Sequence, residues 1–266
     1  MCEKKLNEGL AEQAIKEAEM LDNMYDQYFC KGKAYYRSNS PKSAALAFEA
    51  SEEYADLPVD QMFSILYKGI SQRDSGQIEI SIQSFSKGLE TAKLGNSKYL
   101  QMEQRFLYQL GKSHIALKNG ESALEEHSKA LTISSNDDER ALNFEGISLA
   151  YGLLKQYDSA IEYAVKASNS YQRTGKLGNY ADIEVYKSKF YFASNNSDMA
   201  IKTLKTLEAF SIKNGGKYYE AKSLIEQSIL YKSIVVNDNA NLTLSKGLKI
   251  SREICATDLI PAKVRN

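Results

Sequence analysis

The chain has 266 residues, with 34 Lys+Arg against 34 Asp+Glu and 18 tyrosines beside no tryptophan. The even charge leaves no long-range field that would draw it to nucleic acid or an acidic membrane surface, and three prolines with fifteen glycines are too few for a disordered chain. No apolar run approaches the roughly 18 residues needed to span a bilayer, and the tyrosines predict packing by an aromatic with a polar tip.

At the N-terminus, Cys2 follows Met1 and opens the polar stretch Glu3-Lys4-Lys5. It stands where a bacterial lipoprotein cysteine would stand if a start codon replaced its signal, which makes Cys2 a candidate lipidation point. The alternative is an ordinary second residue, because the diagnostic apolar segment is absent. Cys30 falls inside a predicted helix as a small buried apolar residue. With Cys255 the three cysteines are too widely spaced for a disulfide framework or a zinc or redox pair. Ala11, Ile15 and Ala18 follow helical spacing, so segment 1–24 predicts a second helix without its first.

From there a pattern returns six times at intervals of 37 to 42 residues, in units beginning near 25, 62, 104, 141, 181 and 221. The first helix of each unit carries a small residue at Gly32, Gly69, Gly111, Ser148, Ser188 and Ser228. Three residues on stand Tyr35, Gln72, His114, Tyr151, Tyr191 and Tyr231. Twelve residues after the small position come Ala44, Ser81, Ala123, Ala160, Ala200 and Ala240, then four further on Phe48, Phe85, His127, Ala164, Leu204 and Leu244. These spacings keep each set on one helical face. Two helices approach closely only where one lacks a bulky side chain, and the aromatic three residues on is expected to fill the gap beside it. Polar breaks such as Ser38-Asn39-Ser40-Pro41 and Lys118-Asn119-Gly120 join the helices, and no stretch alternates at period two long enough to demand a strand.

This pattern resembles the tetratricopeptide repeat family, most clearly at Gly32/Tyr35/Ala44/Phe48, Leu110/Gly111/Ala123/Ala130 and Ile147/Tyr151/Ala160/Ala167. The units exceed the family's 34 residues and lack its closing proline, as in long-repeat variants of bacterial signalling and regulatory proteins. The resemblance implies an all-α, right-handed superhelical solenoid of antiparallel helix pairs, a single array over 1–266. Residues 261–266 would begin an unfinished unit. Arrays normally end in capping elements, so a lone second helix at one end and a partial unit at the other predict excision from a longer polypeptide; the alternative is a natural chain with irregular ends.

Little in the chain predicts chemistry. His114 and His127 fall in packing slots, and with no cysteine cluster a transition-metal site has little to build on. Asp137-Asp138-Glu139 follows Ser134-Ser135-Asn136 at a helix start, where carboxylates complement the helix dipole. Gly215-Gly216 lacks the Lys-Ser/Thr of a phosphate loop. No cofactor, metal or catalytic residue is assigned.

In tetratricopeptide arrays the first helices line the concave surface, and the resemblance carries ligand-contacting positions over by phase. They are Phe29, Lys33, Tyr36 and Arg37, then Leu66, Tyr67, Ile70 and Arg73, then Arg105, Tyr108, Gln109 and Lys112, and finally Val185, Tyr186, Lys189 and Phe192. The site residues are taken to be Phe29, Lys33, Tyr36, Arg37, Tyr67, Arg73, Arg105, Tyr108, Lys112, Tyr186 and Lys189. Tyrosines mixed with Lys and Arg suit a peptide bearing apolar and acidic groups. The family's carboxylate clamp is not reproduced, since Phe29 and Tyr67 replace two of its polar positions. The expected function is a non-enzymatic protein- or peptide-binding solenoid, the sensory or scaffold region of a larger bacterial signalling or regulatory protein. A cytoplasmic peptide-responsive regulator is the second reading, and an enzyme with an unrecognised site is the third. The partner is a protein or peptide and not nucleic acid. A membrane enters only through a lipid anchor or a missing flanking segment. The location is periplasmic or membrane-anchored if Cys2 is lipidated, and cytoplasmic otherwise.

Overall fold

The computed structural model describes residues 2–262, with the side chain of Cys2 outside the description. Among the described residues there are fourteen α-helices, two 3-10 turns and no strand. They fall into two compact units, Met1–Ser135 and Asn136–Asn266. Within each unit the helices pack mainly on their neighbours in sequence, so compactness is a local property.

The first unit runs α1 (Cys2–Asn7), α2 (Ala11–Ala18), α3 (Met24–Arg37), α4 (Pro41–Glu53), α5 (Pro58–Asp74) and α6 (Ile78–Leu94). After the 3-10 turn Asn96–Tyr99 come α7 (Leu100–Ala116) and α8 (Gly120–Thr132). The second runs α9 (Asp137–Leu153), α10 (Tyr157–Arg173), α11 (Leu177–Ala193), α12 (Ser197–Lys213), α13 (Lys217–Ser233) and α14 (Asn237–Glu253), then the turn Thr257–Leu259. The first helices begin one to four residues ahead of the expected unit starts. Segment 1–24 is not a lone second helix, because α1 pairs with α2 and also reaches α3. Leu6 of α1 is buried with Ala14, Ala18, Cys30 and Ala34, which is what holds so short a helix. Cys30 is buried in this apolar cluster as expected and is in addition disulfide-bonded, while Cys255 is free and exposed. The last residues of the expected unfinished unit, 263–266, lie outside the described residues, as does the side chain of Cys2 as a lipidation point.

The small positions are where the helices of a hairpin meet. A Cβ on Gly32 would stand 2.6 Å from the Phe48 ring, one on Gly69 2.4 Å from Phe85, and one on Gly111 2.5 Å from His127. The gap is therefore filled from the second helix, not by the aromatic three residues along the first. In the second unit serine replaces glycine and the facing residue shrinks. Ser148 Oγ donates to the Ala160 carbonyl at 2.7 Å, and Ser188 Oγ to that of Ala200 at 3.0 Å. Glycine with a ring and serine with alanine or leucine are two ways of filling one interhelical space at interior density.

The aromatic slot has another task. In every hairpin the carbonyl of Tyr35, Gln72, His114, Tyr151, Tyr191 or Tyr231 accepts from the amide five residues on, at 2.8–2.9 Å. This is the outer bond of a Schellman ending, which places the residue between in the left-handed region. Gly76 and Asn39 suit that conformation, but Val235, at φ 63°, does not. Asparagines then start the next helices: the side chains of Asn119, Asn136 and Asn196 accept from the amides of Ser122, Glu139 and Met199.

Val235 is 77% exposed and packs little. Val235→Gly should therefore relieve left-handed strain and stabilise the chain by about 1 kcal/mol, read as a higher midpoint in urea unfolding.

Candidate binding surface on the first helices

On α3, Phe29 and Lys33 are one helical turn apart, the adjacent Tyr36 and Arg37 follow one turn further on, and the four lie on one side of the helix. Behind them lies an aromatic floor. Phe29 meets Phe48 and Tyr67 edge-on, with ring centroids 5.4 and 5.6 Å away, and Phe48 stacks on Tyr67 at 5.4 Å. Lys33 Nζ sits 4.9 Å above the centre of the Phe29 ring. A cleft of about 260 Å³ opens here, lined by Lys33, Tyr36, Arg37, Phe48 and Tyr67 and closed on one side by Glu3, Leu6 and Asn7 of α1. Four of the expected residues come together in it. Phe48 was assigned to packing alone; its signal was the missing Cβ of Gly32, which lets the ring reach this depth.

The cations of the cleft are already engaged. Lys33 Nζ pairs with the Glu3 carboxylate at 2.9 Å. Arg37 donates to the carbonyl of Leu6, which also accepts from the Gly9 amide at 3.2 Å, and, at 3.4 and 3.5 Å, to Asn7 Oδ1 at the end of α1. The Tyr36 hydroxyl donates to Asp74 at 2.5 Å. Burial, then the hydrogen bond to Asp74 and its charge, pushes the phenol up to about 12. The hydrogen bond and charge of Lys33 hold the Glu3 carboxyl below the usual range.

The remaining expected residues stand singly or in pairs along the first helices. Arg73 donates to Gln109 Oε1 at 2.6 Å and lies 3.4 Å from Asp74. Arg105 stacks 5.8 Å from the Phe63 centroid. Tyr108 is wedged edge-on against His127 at 5.6 Å, with Lys112 Nζ 5.7 Å from its ring. In the second unit Tyr186 is 40% exposed, and Lys189 pairs with Glu226 on α13 at 2.8 Å. Leu66 and Val185, placed by phase among ligand positions, are 4% and 3% exposed and belong to the cores. Helical phase gives an angle around the axis but not the depth of the neighbour, and the adjacent repeat covers both.

Buried polar joints tie successive repeats together. Glu52 is held between Lys68 and Lys87, each at 2.5 Å. Burial alone would raise its carboxyl, but the hydrogen bonds and charges of the two lysines outweigh it and bring it below the usual range. At the corresponding joint of the second unit, Glu184 accepts from Ser168 at 2.7 Å and from Lys187 at 2.5 Å. His127 is fully buried in the hairpin seam. His114 is half-buried, and burial pushes its imidazole down despite the opposing charges of Glu126 and Glu125. Among the described residues no group of three or more His, Cys, Asp or Glu side chains could hold a metal ion, and no helix is long and apolar enough to cross a membrane.

No protein-family model and no curated protein matches the sequence. Solved structures do match. A signal transduction ATPase with numerous domains and a tetratricopeptide repeat sensor, from Pyrococcus horikoshii, aligns at 18% identity and a TM-score of 0.75. The alignment covers 97% of this chain and 42% of that one. The apo form of RapI aligns at 18% identity and 0.67, over 96% of this chain and 82% of that one. A Rap protein complexed with competence and sporulation factor aligns at 11% and 0.66, over 92% and 80%. The fold is thus that of tetratricopeptide-repeat proteins.

The depressed His114 gives a pH dependence of known sign. The unfolded imidazole titrates near its ordinary 6.5 and the folded one lower, so the folded state binds fewer protons between the two values. Its contribution is full above the unfolded value and is lost as pH falls through the folded one. His114→Phe should therefore shrink the loss of urea midpoint between about pH 7.5 and about pH 5.5; an unchanged loss would remove His114 as its source.

Proposed function

We infer that the chain is a non-enzymatic peptide- or protein-binding module whose first unit takes an acidic peptide in the cleft between α3 and α5. The observation that carries this reading is the way α1 sits there. Its Glu3 carboxylate meets Lys33 and its Leu6 carbonyl meets Arg37, beside the floor of Phe48 and Tyr67. These are the groups an acidic peptide would present: a side-chain carboxylate, backbone carbonyls and an apolar surface for the rings. Exposed ion pairs hold only about 0–1 kcal/mol, so a ligand can exchange with Glu3.

Two likenesses support a signalling setting. The Pyrococcus protein carries its repeats as a sensor, and one Rap protein is described in complex with competence and sporulation factor. The module is then the sensory or scaffold region of a larger bacterial signalling or regulatory protein. A cytoplasmic peptide-responsive regulator is the second reading, favoured by the 82% of RapI that the chain spans.

Selection from a random peptide library, followed by calorimetry, tests the assignment. Carboxylate-bearing peptides should be enriched. Lys33→Gln and Arg37→Gln should each weaken the best binder about tenfold, while Glu3→Gln should tighten it by freeing Lys33. Selected peptides without acidic residues, or affinities indifferent to all three changes, would move the site elsewhere.

A further inference from the structure

The unit beginning on α5 is longer than the one before it: 42 residues separate Gly69 from Gly111, against 37 between Gly32 and Gly69. It contains the 3-10 turn Asn96–Tyr99 ahead of α7. Asn96 takes a left-handed φ of 49°. The Tyr99 ring crosses Gly95 so closely that a Cβ there would stand 2.1 Å from its Cδ2. The turn is thereby shaped to carry Lys98 and Tyr99 toward the start of α5.

A groove of about 430 Å³ opens where they arrive, within the size range of small-molecule sites. Val59 and Phe63, one turn apart on α5, form one wall with Tyr99 and Met102, and Lys98 and Arg105 supply its charge. Lys98 Nζ stands 5.1 Å from the Tyr99 centroid, and the Arg105 guanidinium carbon 5.8 Å from that of Phe63. No acidic residue lines the groove. Lys33, Arg73 and Lys189 all pair with carboxylates; the two cations here rest on aromatic faces of the groove instead.

We propose that this groove binds a small carboxylate bearing a compact aryl or branched-alkyl group, at a site separate from the α3–α5 cleft. The aromatic and thioether walls take the apolar group, and Lys98 and Arg105 take the anion. The cations lie against the same rings that hold the apolar part, so the carboxylate must be within a few bonds of it. A long-chain fatty acid holds most of its tail too far from its charge. An uncharged apolar ligand leaves two cations facing it without an anion, and inorganic phosphate leaves the walls uncovered.

The test is an NMR titration of the methyl-labelled chain with 3-phenylpropionate and 4-methylpentanoate, beside their primary amides. Saturable shifts of the Met102 and Val59 methyls are expected, with the amides weaker by about tenfold or more. Lys98→Gln with Arg105→Gln, both exposed positions, should abolish the preference for acid over amide. Tyr67→Leu, in the other cleft, should leave the titration unchanged, so failure of the peptide reading is distinguished from failure of this one. Equal binding of acid and amide, or no saturable shift at Met102, overturns the proposal. Tighter binding of a peptide ending in a free phenylalanine carboxylate also overturns it, and reassigns the groove to peptide termini.

Discussion

The two helices of a hairpin touch at a residue that has almost no side chain, and the rest of each repeat follows from that contact. At Gly32, Gly69 and Gly111 an added Cβ would fall inside a ring; at Ser148 and Ser188 the hydroxyl reaches the partner backbone itself. A larger residue at these positions would force the helices apart or the ring off its rotamer. Once the separation is set, the Schellman ending fixes the turn and the asparagine caps restart the chain. The same unit can then be built again.

This contact reaches the candidate binding surface through the side chain it admits. Phe48 passes over Gly32 and ends beneath Tyr67, so the floor of the cleft is made by a residue of the second helix. The charged groups above it are arranged by a different force. Pairs such as Lys33–Glu3 and Tyr36–Asp74 join neighbouring first helices while staying partly open to solvent. Pairs of this kind add little stability in water, which makes them replaceable by a ligand offering the same groups. The buried joint at Glu52 is another matter, because removing Lys68 would leave a desolvated carboxylate short of a partner. Scaffold and surface are thus held by interactions of different strength.

Much of the fold was legible because the period is carried by residues whose size is constrained. The small positions, the second-helix alanines and the polar turns all report on one packing distance, and they align without any knowledge of depth. Depth was what remained hidden. Leu66 and Val185 stand beside Tyr67 and Tyr186 in sequence, about 100° round the helix from them, and lie under the adjacent repeat. Lys33 and Arg37 could be placed on one face of α3, but not paired with α1, whose six residues are too few to leave a periodic signature. The groove beside Tyr99 was invisible for a related reason: it depends on a turn that interrupts the repeat, and periodicity cannot describe an interruption.

A double-mutant cycle on Gly69 and Phe85 tests the close approach most directly. Gly69→Ala and Phe85→Leu should each lower the urea-derived stability, by about 1–3 kcal/mol, the first by overpacking and the second by leaving a void. Together they should cost less than their sum by more than about 0.5 kcal/mol, because the smaller side chain makes room for the new methyl. Strict additivity would contradict the account, since it would mean that the glycine and the ring do not share the space between the helices.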